Sequence, residues 1–121
     1  MVYSGIIATV ADLTNMAGEN VDATGWTEAN QNLWIAQAEG YLCTLFRYDI
    51  ITNWATLNAK GKLILTEYGA RYCAVCGIAY NMEGFTTRIE AEDMINIHVY
   101  RMRAIEKILE NENFIKFIKT A

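Results

Sequence analysis

An all-α fold is what this sequence predicts: a bundle of three long helices plus a short helix, with extended N- and C-terminal arms. Three observations predict it. The stretch from Asn58 to Met82 carries apolar residues at helical spacing on two sides and no charge from Tyr72 to Tyr80, so it reads as one long helix that other segments wrap. The 121 residues contain no proline, and glycine marks most of the apparent breaks, a composition for long uninterrupted helices joined by short turns. Thr87-Arg88-Ile89-Glu90 is a capping box, in which the Thr side chain accepts from the Glu N–H while the Glu reaches back, and it starts another long helix.

Taken in order, residues 1–25 form an N-terminal arm, 26–111 the helical bundle and 112–121 a C-terminal docking tail. In the arm, Ile6, Ile7 and Val10 suit a short strand or a turn of helix, Asp12 to Gly18 can continue it, and Gly18 to Gly25 is turn chemistry. Thr27 is the expected N-cap of a first long helix running to about Arg47. Its core stripe is Trp34, Ala38, Tyr41, Leu42, Leu45 and Phe46, with Glu28, Gln31, Asn32 and Glu39 off it. Gly40 in mid-helix costs about 1 kcal/mol relative to Ala, which close approach of another helix would explain. Residues 49–57 read as a short helix or turn that tucks Ile50, Ile51 and Trp54 under the bundle.

Asn58 is then the expected N-cap of the central helix, with Glu67 and Arg71 placed for an i,i+4 pair. Asn81 to Phe85 forms the next break, with Gly84 as the C-terminal signal of the central helix. The last long helix places Met94, Ile97, His98, Met102, Ile105, Ile108 and Leu109 on one broad apolar face and ends near Asn111. Beyond it, Phe114, Ile115, Lys116, Phe117, Ile118 and Lys119 make an apolar tail too short to fold alone. It suits either a turn or two of helix or an extended arm that pairs with another chain, and docking on its own domain or on a partner is expected.

The net charge of −4 argues against a free-standing nucleic-acid binder, whose affinity would come from many Lys and Arg contacts to phosphate. It does not argue against a protein that surrounds DNA without gripping it. No apolar run reaches the roughly 18 residues of a membrane span, and the first residues lack the basic and apolar regions of a secretory signal. Cys43, Cys73 and Cys76 are expected to be reduced and buried. Cys73 and Cys76 form a CxxC deep inside a helix rather than at an N-terminus, and only Cys43 and His98 remain to complete a zinc site, so packed thiols are the expected reading.

His98, the single histidine, lies on an apolar helix face without a nucleophile at a recognisable spacing, which fits a hydrogen-bonded core or interface residue rather than a base or ligand. Glu90, Glu92 and Asp93 occupy the first turn of a helix, where acids favour its dipole. No phosphate-loop pattern appears, and Trp26, Trp34, Tyr41, Trp54, Tyr68, Tyr72 and Tyr80 fall mostly on packing stripes. Arg101 and Arg103 sit among acids. No enzyme, cofactor or metal is expected.

Over about Trp26 to Leu109 the pattern resembles the head–tail connector (adaptor) proteins of tailed bacteriophages. The resemblance rests on the first helix with AQAEGYLCTLF, the central helix ending GIAYNM, and EGFTTRIEAEDMINIHVYRMRAIEKIL, where Gly84, Phe85, Thr86, Thr87, Arg88, Glu90, Glu92 and Met94 match a glycine turn, an aromatic, Thr-Arg, acids and a Met before a long final helix. It implies a virion structural protein of the neck, made in the host cytoplasm. Copies would form a ring beneath the portal protein, twelve by family analogy, that extends the DNA channel and docks the next neck or tail component. DNA would pass without sequence-specific binding, since an acidic wall refuses to hold it. Phe114 to Lys119, together with Gly84, Phe85 and Arg88, are the expected partner-binding residues. Two alternatives come from other classes: a small helical DNA-binding regulator, against which stands the lack of a basic recognition helix, and a thiol or zinc enzyme on Cys43, Cys73, Cys76 and His98.

Overall fold

A computed structural model describes residues 2–18, 21, 24–80 and 88–120, with the backbone alone at Arg88. Among the described residues five helices follow one another, α1 (Val10–Ala17), α2 (Glu28–Phe46), α3 (Ala59–Tyr80), α4 (Arg88–Leu109) and α5 (Glu112–Ile118), with one 3-10 turn at Trp54–Thr56. The fold is all-α as expected, and no strand occurs among the described residues.

Local chemistry sets most of the helix ends. Thr27 Oγ1 accepts from the Asn30 N–H at 3.3 Å and caps α2. Arg47 closes that helix in the left-handed conformation, at φ 53°, its N–H donating back to the Cys43 and Thr44 carbonyls. The Asp49 carboxylate then gathers the Ile51 N–H (3.1 Å), the Thr52 N–H (3.0 Å) and the Thr52 hydroxyl (2.7 Å), and the tight turn drives Ile50 fully inside. Asn58 Oδ1 accepts from the Lys60 and Gly61 N–H groups and caps α3. The capping box at Thr87 and the break at 81–85 lie outside the described residues, although α4 begins where that box places it.

The central helix is α3, about 33 Å long at 1.5 Å per residue. It packs against α1, α2, α4 and α5. Wrapping depends on three of its glycines. A Cβ added at Gly61, Gly69 or Gly77 would fall under 3.0 Å from Ile118, Ile7 or Trp26 respectively, so the tail, the N-terminal segment and the approach to α2 each lie against bare backbone.

That contact explains the main departure from expectation. The terminal arms are not extended: each folds as a short helix onto the core. At the N-terminus, Ile7 is buried over Gly69 while its C=O accepts from the Thr66 hydroxyl at 2.6 Å and the Glu39 carboxylate accepts from the Ile6 and Ile7 N–H groups. Thr9 and Asp12 exchange side-chain bonds in a capping box, and α1 buries Leu13 and Ala17. At the C-terminus, Asn111 caps α5, and Phe114 and Ile118, one helical turn apart, enter the same core. The Phe114 ring stacks on Phe46 with centroids 5.6 Å apart.

Other differences concern which way a helix faces. Ile35, absent from the expected stripe of α2, is buried at its centre, and Gln31 is buried as well. Tyr41 is 39% exposed and stacks on Tyr68 with centroids 5.8 Å apart. Gly40 is not explained by a neighbouring helix: among the described residues a Cβ there would meet nothing within 4 Å. On α4, Ile97 and Ile108 do not join Met102, Ile105 and Leu109 in the core but stand exposed. Leu63 of α3 is likewise outside, at 65% exposure.

Candidate functional site

The densest polar cluster lies where α1, α3 and α4 meet. The Glu67 carboxylate accepts from Arg71 Nε at 2.8 Å, the expected i,i+4 pair, and from Arg101 Nε and Nη2 at 2.7 and 3.1 Å. The paired fork of Arg101 holds the Glu67 carboxyl below its usual range, with Arg71 adding to the effect. Arg71 Nη1 lies 3.0 Å from His98 Nδ1, and the ring also hydrogen-bonds the Met16 backbone. Burial, then the Arg71 charge, pushes the imidazole below its ordinary value. The network therefore assigns a neutral ring, with Nδ1 accepting from Arg71 and Nε2–H donating to the Met16 C=O. These bonds tie α1, α3 and α4 together, and His98 takes the hydrogen-bonded core place that was one of its two expected roles. A second bridge is simpler: Tyr68 donates to Glu106 at 2.8 Å while Arg103 binds the other Glu106 oxygen at 2.7 Å.

The CxxC is placed for packing. Cys73 is fully buried and Cys76 half-buried, and burial pushes both thiols upward, away from the thiolate that redox or nucleophilic chemistry needs. All three cysteines are free. Among the described residues, no three His, Cys, Asp or Glu side chains converge as metal ligands, and no helix is long and apolar enough to cross a membrane.

The expected contact residues of the tail divide between two faces. Phe114 and Ile118 are buried and Ile115 is half-buried, while Lys116, Phe117 and Lys119 face outward. Lys119 Nζ sits 4.3 Å from the centroid of the Tyr48 ring. Phe117, 47% exposed, borders an open groove of about 470 Å³ with Lys107, Ile108, Asn111, Asn113 and Phe114. Gly84 and Phe85 lie outside the described residues, as does the Arg88 side chain.

A surface not read from the sequence runs along α4. Its inner arc is Ala91, His98, Met102, Ile105 and Leu109. On the outer half stand Ile89 (69% exposed), Ile97 (64%), Tyr100 (81%) and Ile108 (45%), so the helix is apolar on two faces and only one is covered. The signal was available. Ile97, Tyr100, Ala104 and Ile108 step by three or four residues, out of phase with the inner set. The outer face of α2 is different in kind: Ala29, Leu33, Ala36, Gln37, Gly40 and Thr44 are all exposed and all uncharged.

Compared with protein-family models, with curated proteins and with solved structures, the chain matches none.

Proposed function

We propose that this chain is a structural, self-associating subunit, a head–tail connector (adaptor) of a tailed bacteriophage. Copies form a ring beneath the portal, twelve by family analogy, extend the DNA channel and receive the next neck or tail component. The observation that carries the reading is the second apolar face of α4. A helix buried on one side and apolar on the other is built to be covered by another protein. The side-chain chemistry supports the same conclusion, because the acids and bases of the α1–α3–α4 cluster hold the fold together and the buried thiols are disfavoured as thiolates.

The charge distribution agrees with DNA passing through rather than being held. Arg71, Arg101 and Arg103 are each engaged by Glu67 or Glu106, and the chain carries a net charge of −4. Tight, salt-dependent phosphate binding needs several uncommitted bases on one face.

Quantitative mass spectrometry of purified particles, against the soluble fraction, tests the proposal. The expected result is this chain in DNA-filled particles at a copy number close to that of the portal protein. Recovery only from the soluble fraction would overturn it and bring the regulator forward.

A further inference from the structure

We infer that two copies of this chain join head to tail, the outer face of α4 on one copy lying against the outer face of α2 on the next, with Tyr100 seated over Gly40. The inference rests on the connector reading and adds the contact that would build its ring.

Three observations lead there. The α4 face presents Ile89, Ile97, Tyr100 and Ile108 to solvent, and no segment among the described residues covers it. The α2 face is its complement in size: small or uncharged residues surround Gly40, and between Glu28 and Arg47 the single charge is Glu39, which is engaged by the Ile6 and Ile7 N–H groups. Gly40 weakens a helix interior, yet nothing among the described residues lies near enough to require it, in contrast to Gly61, Gly69 and Gly77. Close approach from another molecule supplies the missing reason, and a large exposed side chain such as Tyr100 fits a site with no Cβ.

Geometry then decides the kind of contact. Both helices pack on α3, and their outer faces point away from it, so one copy offers two different surfaces. Unlike faces pair heterologously, and a heterologous contact repeats into a ring when its rotation closes. The exposed charges described on α4 are Glu92, Asp93, Arg101, Arg103 and Lys107, of both signs, with Arg101 and Arg103 paired to Glu67 and Glu106, so the uncharged α2 face meets no like-charge barrier. The usable length is that of α2, about 28 Å. A single helix pair of this length covers less than the roughly 800 Å² per partner of a stable isolated complex. An isolated pair is therefore weak, and closure of the ring, where every copy makes two contacts, holds the assembly.

The test uses the full chain with Tyr100→Glu and Gly40→Glu, both at exposed positions, each first checked by circular dichroism to melt no lower than wild type. Sedimentation velocity from micromolar to millimolar concentration should show self-association of the wild type, weakened at least tenfold by either substitution. An equimolar mixture of the two variants should form one-to-one pairs and stop there, because each retains one working face. A photo-reactive phenylalanine at position 100 should crosslink to α2 of another copy. Crosslinks to α4, or loss with Tyr100→Glu but not Gly40→Glu, would overturn the inference in favour of a symmetric α4 pair. Unchanged association in both variants, or a wild type monomeric throughout, would also overturn it. Those results leave the connector reading standing wherever the particles contain the chain at portal-like copy number.

Discussion

Asn58 and Ile118, sixty residues apart in the chain, are joined by a backbone hydrogen bond of 2.8 Å from the Asn58 N–H to the Ile118 C=O. The Asn58 side chain works in both directions at once. Its Oδ1 caps α3, and its Nδ2 donates to the Thr120 C=O at 2.8 Å. The start of the central helix and the end of the chain are thus one structural unit.

Replacing Asn58 by Ala removes the cap and the tail bond together and is expected to lower stability by about 1–2 kcal/mol in urea unfolding. Asn58→Asp keeps an accepting oxygen for the cap but loses the donor to Thr120. It should fall between Asn58→Ala and wild type, and equality with Asn58→Ala would show that the tail bond carries the whole effect.

The tail is part of the core, so deleting 113–121 should destabilise the monomer rather than leave it intact. Ile118→Ala is expected to cost about 2–4 kcal/mol by opening a cavity over α3. Gly61→Ala brings a Cβ to 2.5 Å from Ile118 Cδ1, whereas Ile118→Val removes that carbon. The double variant should therefore be more stable than the two single effects predict, by at least 0.5 kcal/mol in chemical denaturation. Simple additivity would refute the close contact.

His98 supplies a pH dependence of known sign. Its folded-state value lies below the ordinary 6.5, so as pH falls below about 6.5 the unfolded chain takes up the proton first and stability declines. The decline stops once the folded ring is protonated too. Glu67 acts in a lower window, because Arg101 and Arg71 depress its carboxyl below 4.5 and that stabilisation is lost as pH falls through its folded value. With a single histidine in the chain, His98→Gln should flatten thermal stability between about pH 5 and 7 while leaving the lower step in place. An unchanged slope in the upper window would remove His98 as its source.

Thiol labelling of the folded protein should separate the cysteines. Cys73, fully buried, is expected to react only as fast as the whole domain opens, with Cys43 and Cys76 ahead of it. Stabilising the domain should slow Cys73 in proportion. Rapid Cys73 labelling at full native stability would show a local opening of α3.

The features legible beforehand are those settled within a turn or two of helix. Thr27 and Asn58 cap because a short polar side chain sits one turn before an apolar period, and Glu67 meets Arg71 because four residues make a turn. The long helices follow from the absence of proline and the spacing of their apolar residues. The interior role of His98 was legible for the same reason, from its place on an apolar face.

Packing partners were not. Periodicity states that α4 is apolar but not which arc is inside, and only the seating of Ala91, Met102, Ile105 and Leu109 on α3 and its neighbours leaves Ile97 and Tyr100 in solvent. A glycine likewise reads the same whether backbone meets a side chain, as at Gly61, or open space, as at Gly40. Which way the termini fold was decided by Ile7 and Ile118 finding those bare stretches of α3, contacts across about sixty residues of sequence. By itself the sequence determined the three long helices, the caps at Thr27 and Asn58 and the all-α class, since these rest on neighbours in the chain. Tertiary structure alone decided which apolar faces were consumed, because burial depends on residues that meet only after the chain has closed on itself.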